Sequence, residues 1–496
     1  MVEGPARDSS AFAETGRLRT TGPDVMKQYD LCVIGSGPAG QRAAIQAAKL
    51  GKRVCVVEKR HAIGGVAVNT GTIPSKALRE AILDVGDRSV ACPTMDDFAA
   101  VRKTLFANLK RSCSRVIGNE IETIEDHFAS NNIDVAHGTG SFSDPKTIRI
   151  ETENDESFIK ADYTLIAVGT FPAQPNGVQF DGRTILSSDD IQEMTAAPHS
   201  MIVVGGGVIG TEYASMLQAL GVKVTLIEGR QRLLDFVDSE IIEAFQYHVR
   251  QNGMTLRLGE KVTKIEVIDA VAGARTTDGT MAEAHLESGK TLRADTLLYC
   301  IGRQGATHTL SLENAGLEAD KRGRIGVNES FQTTTPHIYA AGDVIGFPAL
   351  ASTSYEQGRL AACHMFGQSC ESISKLLPYG IYAVPEISMV GWTEGQLTAE
   401  GIPYESGIAS YKEISRGHLL GAEFGMLKML IHQESHTVLG VHAIGTGATE
   451  LIHIGQAAIA FRATVEYFVN AVFNYPTLAE CYKVAAMNGL NKLRGI

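Results

Sequence analysis

Two sets of residues in this 496-residue sequence have types and spacing suited to holding dinucleotides. The first is Gly35, Gly37 and Gly40 followed by Glu58; the second is Gly205, Gly207 and Gly210 followed by Glu228. In a Gly-x-Gly-x-x-Gly turn one glycine makes the tight turn. Another lets the backbone approach a pyrophosphate, and the third lets helix and strand pack closely. The phosphates then sit on the positive end of the helix, and the acid accepts a hydrogen bond from a ribose hydroxyl. A single copy is weak evidence. Here the copies lie 170 residues apart, and in each the first glycine precedes the acid by 23 residues. Matched spacing in a repeated unit predicts two bound dinucleotides. Arg230 and Arg232 follow Glu228 at once. A Rossmann acid favours the NAD 2′-hydroxyl, whereas an arginine fork matches the NADP 2′-phosphate. The combination could serve both NAD and NADP; the competing reading is that the arginines are solvated loop residues.

Such turns work only between a strand and a helix. Tyr29 to Ile34 reads as a strand, Gln41 to Leu50 as a helix, and Arg53 to Val57 as a second strand. The order returns in Met201 to Val204, a helix through Leu220, and Lys223 to Ile227. Three more segments read as strands. Ala161 to Val168 closes at Gly169, Leu297 to Ile301 closes at Gly302, and Ile338 to Ala341 ends in Gly342-Asp343. From about Leu377 apolar runs (Pro385 to Gly391, Leu427 to Ile431, Val438 to His442) precede helical stretches at Ala448 to Arg462 and Leu478 to Leu493. Strands followed by helices read as an α+β domain. The expected fold class is α/β, with two Rossmann-like dinucleotide-binding domains and a C-terminal α+β domain.

Length alone suggests three or more domains. Hydrophobic residues make up 44% and charged residues 20%, ordinary for a soluble globular enzyme. The net charge of −11, with scattered Lys and Arg, argues against nucleic acid or an anionic membrane as partner. No apolar run approaches the roughly 18 residues a membrane helix needs. Eight cysteines (Cys32, Cys55, Cys92, Cys113, Cys300, Cys363, Cys370 and Cys481) form no Cys-x-x-Cys pair, and several lie in apolar runs. Buried free thiols in a reducing, cytoplasmic setting are expected. The 14 histidines show no metal-ligand spacing, so no metal is expected. Residues 1–28 are polar and lack the apolar core of a secretory signal. Arg7, Arg17 and Arg19 permit a transit-peptide reading, which Glu3, Asp8, Glu14 and Asp24 weaken, and a disordered tail is expected.

The stretch Gly64-Gly65-Val66-Ala67-Val68-Asn69-Thr70-Gly71-Thr72-Ile73-Pro74-Ser75-Lys76 resembles the redox-disulfide segment of the flavoprotein disulfide reductases. That family carries Gly-Gly-x-Cys-x-x-x-x-Cys-x-Pro-x-Lys. Ala67 and Thr72 stand at the two cysteine positions, and neither can supply a thiolate. The resemblance runs from Tyr29 nearly to the C-terminus. It implies a tail over 1–28, an FAD-binding domain over 29–170 and 303–376, an NAD(P)-binding domain over 171–302, and a dimerisation domain over 377–496. It assigns Gly35, Gly37, Gly40, Glu58, Gly65, Thr72, Lys76, Gly169 and Asp343 to FAD. Gly205, Gly207, Gly210, Glu228 and Gly302 go to the nicotinamide dinucleotide, with Arg230 and Arg232 beside them. Asp343 matches the family aspartate on the ribityl chain; the alternative is a helix N-cap before Val344. Lys76 matches the lysine at the flavin N5 edge, where a positive charge favours the reduced anion. Glu212 matches the glutamate that pairs with it. Otherwise Lys76 is a surface lysine on an early helical turn. The family's dimer is twofold, so a homodimer is implied, with a higher oligomer left open.

The chain also departs from those reductases near its end. Their His-Pro-Thr-x-x-Glu segment reads Tyr475-Pro476-Thr477-Leu478-Ala479-Glu480 here. A phenol with a reference pKa of about 10 is a poor base at neutral pH. Tyr475 is left as site-lining, and Glu480 without its histidine has no assigned role. The Thr70-to-Lys76 wording, Phe473-Asn474-Tyr475-Pro476-Thr477 and Val484-Ala485-Ala486-Met487-Asn488-Gly489-Leu490-Asn491 resemble the soluble pyridine nucleotide transhydrogenases, disulfide-free members of the superfamily. This resemblance implies hydride transfer from NADPH to FAD and then to NAD by a ping-pong route, with Lys76 and Glu212 as the catalytic pair and no protein nucleophile. The alternatives are a flavin NAD(P)H oxidase or diaphorase and a non-catalytic flavoprotein sensor. Lipoamide reduction is not expected.

Overall fold

The computed structural model describes residues 26–86, 97–175, 177–271, 276, 279–370, 372, 376–422 and 424–495. Most of the expected tail, and Cys92, lie outside these residues. Contacts divide the chain into two units. The first comprises residues 1–73, 116–171 and 303–373; the second comprises 74–115, 172–302 and 374–496.

The first unit is built on a seven-stranded sheet. Its centre is the strand Lys27–Ile34, parallel to Val54–Glu58 on one side and to Glu156–Ile166 on the other. Leu31, Cys32 and Val33 are fully buried, as a strand covered on both faces requires. The strand begins at Lys27, inside the segment expected to be disordered, because Lys27 and Gln28 pair with Ile159 and Lys160. Ladder bonds need no apolar side chain, so polarity misplaced that boundary. The helix Pro38–Lys49 starts on proline, whose missing N–H costs nothing in a first turn. Its buried Ala39, Ala43, Ala44 and Ala47 belong to the core beside the sheet, with Ala361 and Ala362 of the helix Ala351–Met365. Ile338–Ala340 adds a parallel strand against Glu156–Ile166.

The second unit repeats the pattern. Thr255–Leu258, Lys223–Glu228, Ser200–Val204, Thr296–Tyr299 and Ile185–Ser187 form a parallel sheet in that order. The helix Val208–Ala219 follows the second glycine turn. Towards the C-terminus a five-stranded antiparallel sheet contains Ile387–Gly391, Met426–His432 and Val438–Ile444, and the helices Ala448–Ala460 and Glu480–Leu493 contribute to the same core. A three-stranded antiparallel sheet from Val262 to Ala294 and the helix Asp97–Ser130 had no counterpart in the sequence reading. Among the described residues no helix is long and apolar enough to cross a membrane.

Lys428 is 0% exposed in the second unit. Its ammonium meets Asp238 at 2.9 Å, Glu240 at 2.9 Å and Glu394 at 2.7 Å. Burial alone would lower its pKa, but these carboxylates hold it above the usual lysine range. Lys428→Met strands a buried Asp238 and should destabilise this unit by about 3–5 kcal/mol. A clear fall in the calorimetric midpoint is expected. An unchanged midpoint would mean that desolvation already cancels the pairing.

Candidate functional site

Both glycine turns adopt the same geometry. Gly35 has φ of +105° and Gly205 of +106°, the left-handed region that side chains resist. A Cβ on Gly40 would lie 2.0 Å from the Gly35 carbonyl oxygen, and one on Gly210 would lie 1.9 Å from that of Gly205. The helices therefore need glycine to leave the turn. A Cβ on Gly37 or Gly207 would meet nothing within 4 Å, so the backbone before each helix is open to a ligand. These are features of a phosphate cradle.

The acids close the turns. Glu58 is buried and accepts from Ser36 N at 3.0 Å, Ser36 Oγ at 2.6 Å and Arg60 N at 2.9 Å. Ser36 Oγ in turn accepts from Gly64 N at 2.8 Å, which ties the turn to the Gly64-Gly65 segment. The sequence reading missed Ser36; the hydroxyl residue between Gly35 and Gly37, where the second copy has Gly206, was its signal. In the second copy Glu228 accepts from Gly206 N at 2.7 Å and from Arg230 N at 2.9 Å. The Arg230 guanidinium folds back onto Glu228, with Nε 3.0 Å from Oε1 and Nη2 3.2 Å from Oε2, while Nη1 reaches Asp235 at 2.8 Å. Burial opposes ionisation of Glu228, but the Arg230 and Gly206 hydrogen bonds outweigh it and hold the carboxyl below its usual range. Arg232 donates to the Asp235 carbonyl at 2.9 Å. Arg230 is thus held at the acid, half exposed, whereas Arg232 caps its own loop.

Gly169 and Asp343 both belong to the first unit. Arg303 donates to Thr170 Oγ1 at 2.8 Å and to the Thr170 carbonyl at 2.9 Å. Burial pushes the Asp343 carboxyl up, while Arg303 and hydrogen bonds with Thr170 and Ser354 pull it down. The N-cap of the short helix Asp343–Ile345 is Gly342, without a side-chain cap bond, so the Asp343 side chain does not serve as that cap. The Gly342 N–H donates to Gln357 Oε1 at 2.8 Å. Gly302 has φ of +83° and its carbonyl accepts from Ala173 N.

Lys76 and Glu212, 136 residues apart, meet at 2.7 Å. Lys76 is on the helix Thr72–Gly86, and Glu212 is on the helix after the second glycine turn. The lysine side chain is 24% exposed and the glutamate 5%, so the pair is shielded. Glu212 Oε1 accepts from Tyr382 N at 2.8 Å, and Lys76 Nζ lies 4.8 Å from the centre of the Tyr382 ring. One turn further along, buried Arg79 donates to the Ala383 carbonyl at 3.1 Å and to Glu386 Oε1 at 2.8 Å. Ser215 Oγ accepts from Val384 N at 2.9 Å. The segment 382–386 is therefore gripped from both helices, which fixes the Lys76 ammonium. Arg79 and Tyr382 were not foreseen. The partners of Arg79 lie some 300 residues away and Glu212 lies 170 residues from Tyr382, and only the spacing of Arg79 after Lys76 hinted at a shared face.

Ala67 is half-buried on the short helix Gly65–Asn69, and Thr72 is exposed at the start of the next. Tyr475 is largely exposed and shares a 2.5 Å hydrogen bond with Ser415 Oγ, while Glu480 Oε2 is buried without a hydrogen-bond partner. Among the described cysteines, Cys32, Cys55, Cys113, Cys363 and Cys481 are buried, Cys300 is intermediate and Cys370 is exposed. The expectation of burial therefore fails at Cys370, which follows the C-terminal turn of a helix. Two groups with metal-ligand atoms occur among the described residues, Glu266/Glu283/His285 and Asp238/Glu240/Glu394. The Lys428 ammonium occupies the second, and Arg293 and Lys264 pair with the carboxylates of the first.

Residues 29–358 match the family model of the pyridine nucleotide-disulphide oxidoreductases, and 377–486 match the model of their dimerisation domain. A soluble pyridine nucleotide transhydrogenase of Mycobacterium bovis is 49% identical over 95% of this chain and 99% of its own. One from a Marinomonas species is 43% identical over 94% and 99%. Among solved structures, the HOCl-induced flavoprotein disulfide reductase RclA from Escherichia coli superposes with a TM-score of 0.81 at 25% identity, covering 92% of this chain and 99% of RclA. LpdA from Mycobacterium tuberculosis shares the fold with a TM-score of 0.80 at 24% identity, covering 93% and 99%.

Proposed function

The chain belongs to the pyridine nucleotide-disulphide oxidoreductase family, and within it to the soluble pyridine nucleotide transhydrogenases, and from that premise we propose that it moves hydride between NADPH and NAD through FAD without a sulfur relay. It is an oxidoreductase. The observation that carries the finer reading is a combination. The two dinucleotide turns and the Lys76–Glu212 pair are intact, yet Ala67 and Thr72 stand where the family has its cysteines. A frame that keeps its dinucleotide turns and lacks its thiols has no sulfur relay, which favours exchange between nucleotides.

The residues present fit FAD. Gly37 leaves the helix start open, Glu58 presents a carboxylate at the turn, and Asp343 offers an acceptor with Thr170 and Ser354 around it. When bound, FAD accepts hydride from a reduced nicotinamide and returns it to an oxidised one. The chain's part is to place the nucleotides and set the local charge. Gly35 to Gly40 receive the FAD pyrophosphate, Glu58 its ribose and Asp343 its ribityl chain, with Gly65, Thr72 and Gly169 beside them. Lys76 supplies the positive charge for the ring edge, and Glu212 with Tyr382 aims it. Gly205 to Gly210, Glu228 and Gly302 receive the nicotinamide dinucleotide. One such site serves NADPH and NAD in turn, which makes the kinetics ping-pong. The dimerisation segment presents exposed Tyr467, Val472 and Tyr475, consistent with a homodimer.

Anaerobic mixing with NADPH should bleach the flavin absorbance, and NAD added afterwards should restore it. Steady-state plots should be parallel, and lipoamide should not be reduced. Recovery with oxygen or quinone, but not with NAD, would replace this reading by an oxidase or diaphorase.

A further inference from the structure

We propose that Cys363 and Cys370 are an oxidation site, in which a hydroperoxide converts their two thiols to a disulfide at the end of the helix Ala351–Met365. The site is separate from the nucleotide chemistry and does not depend on it.

Three helical positions build it. Glu356, Arg359 and Cys363 follow at helical spacing on one face. Arg359 Nε meets Glu356 at 2.9 and 3.1 Å, and Nη2 bonds the same carboxylate. That grip fixes the plane of the guanidinium and leaves Nη1 on the far edge. After Phe366 the chain turns back through Gly367, whose φ is +69°, and Gln368 N bonds the Cys363 carbonyl at 2.9 Å. The reversal carries Cys370 to the same cation. Arg359 Nη1 lies 3.5 Å from Cys370 Sγ and 3.9 Å from Cys363 Sγ.

The two sulfurs differ in the way a two-step oxidation requires. Cys370 is exposed, and Cys363 is buried beneath it. Burial and the hydrogen bond with Cys370 push the Cys363 thiol up to about 11. Cys370 is therefore the attacking sulfur, the one of the pair that a peroxide can reach. Its thiolate attacks one peroxide oxygen, the O–O bond breaks, and water or an alcohol leaves with Cys370 as the sulfenic acid. The Cys363 sulfur then attacks the Cys370 sulfur, a second water leaves, and the S–S bond forms. Two thiols lose two electrons and two protons, and one peroxide gains them. Cys32 and Cys55 are also neighbours in register on parallel strands, but both are buried and burial pushes their thiols up. Peroxide should pass them by.

The test uses the full-length protein, hydrogen peroxide in modest excess, rapid alkylation and peptide mass spectrometry. Cys363 and Cys370 should fall in one proteolytic peptide that is two hydrogens lighter, unalkylated, and restored by dithiothreitol. In Cys363→Ser, Cys370 should be trapped by dimedone as the sulfenic acid. Arg359→Met should slow formation of the lighter peptide by about tenfold, because the guanidinium that holds the two sulfurs at one point is lost. Full alkylation of both cysteines while other thiols oxidise would overturn the proposal. So would overoxidation of Cys370 without the lighter peptide, or an unchanged rate in Arg359→Met.

Discussion

Lys76→Met is expected to lower turnover by about 10²- to 10³-fold, the usual effect of removing one fixed charge from a site of changing charge. The ammonium is held by Glu212 at 2.7 Å, and Glu212 is itself held by Tyr382 N at 2.8 Å. A charge anchored in this way needs no reorganisation when the ring gains or loses electrons. Folding should survive at the assay temperature, because the buried Glu212 carboxylate keeps its bond from Tyr382 N when the ammonium is removed. Circular dichroism should show it unchanged, which isolates the kinetic effect. Glu212→Gln keeps a hydrogen-bonding partner and loses the countercharge, so a smaller deficit of about tenfold is expected. Lys76→Arg restores the charge on a longer planar head and should recover only part of the rate. Turnover of Lys76→Met within twofold of the parent would remove the pair from the mechanism.

What could be read in the sequence follows the range of the interactions. The glycine turns are local: Gly35 and Gly205 are required by their positive φ, and Gly40 and Gly210 by the carbonyl of the glycine five residues before each. Glu58 and Glu228 lie one strand further and were equally legible. The Lys76–Glu212 contact spans 136 residues, and only resemblance to a known frame suggested it. Arg79 and Tyr382 stayed hidden because pairing across 304 and 170 residues leaves no local pattern. The strand beginning at Lys27 was lost for a different reason. Its first residues are held by backbone bonds to Ile159 and Lys160, so their polar side chains disguised it. Cys370 escapes the burial expected of the cysteines because its position follows from a turn at Gly367 and not from an apolar run.

Arg230→Ala should raise the Michaelis constant for NADPH by about 10- to 100-fold, the cost of one or two charged hydrogen bonds, and leave that for NADH within about twofold. The guanidinium spends Nε and one N–H of Nη2 on Glu228, and one N–H of Nη1 on Asp235. Five donors in total leave two for a ligand. Those two suit a 2′-phosphate, while the others offset the acid that would repel it. Removing Arg230 therefore harms NADPH twice, through a lost donor and an unmasked Glu228. NADH needs only the carboxylate, whose bond from Gly206 N at 2.7 Å survives. Asp235→Asn weakens the competing grip on Arg230 and should lower the constant for NADPH, opposite in sign to Arg230→Ala. Initial rates with each nucleotide at saturating acceptor would separate the cases. An equal rise for both nucleotides in Arg230→Ala would place the arginine in loop structure alone, and the choice between NAD and NADP would have to be made by other residues.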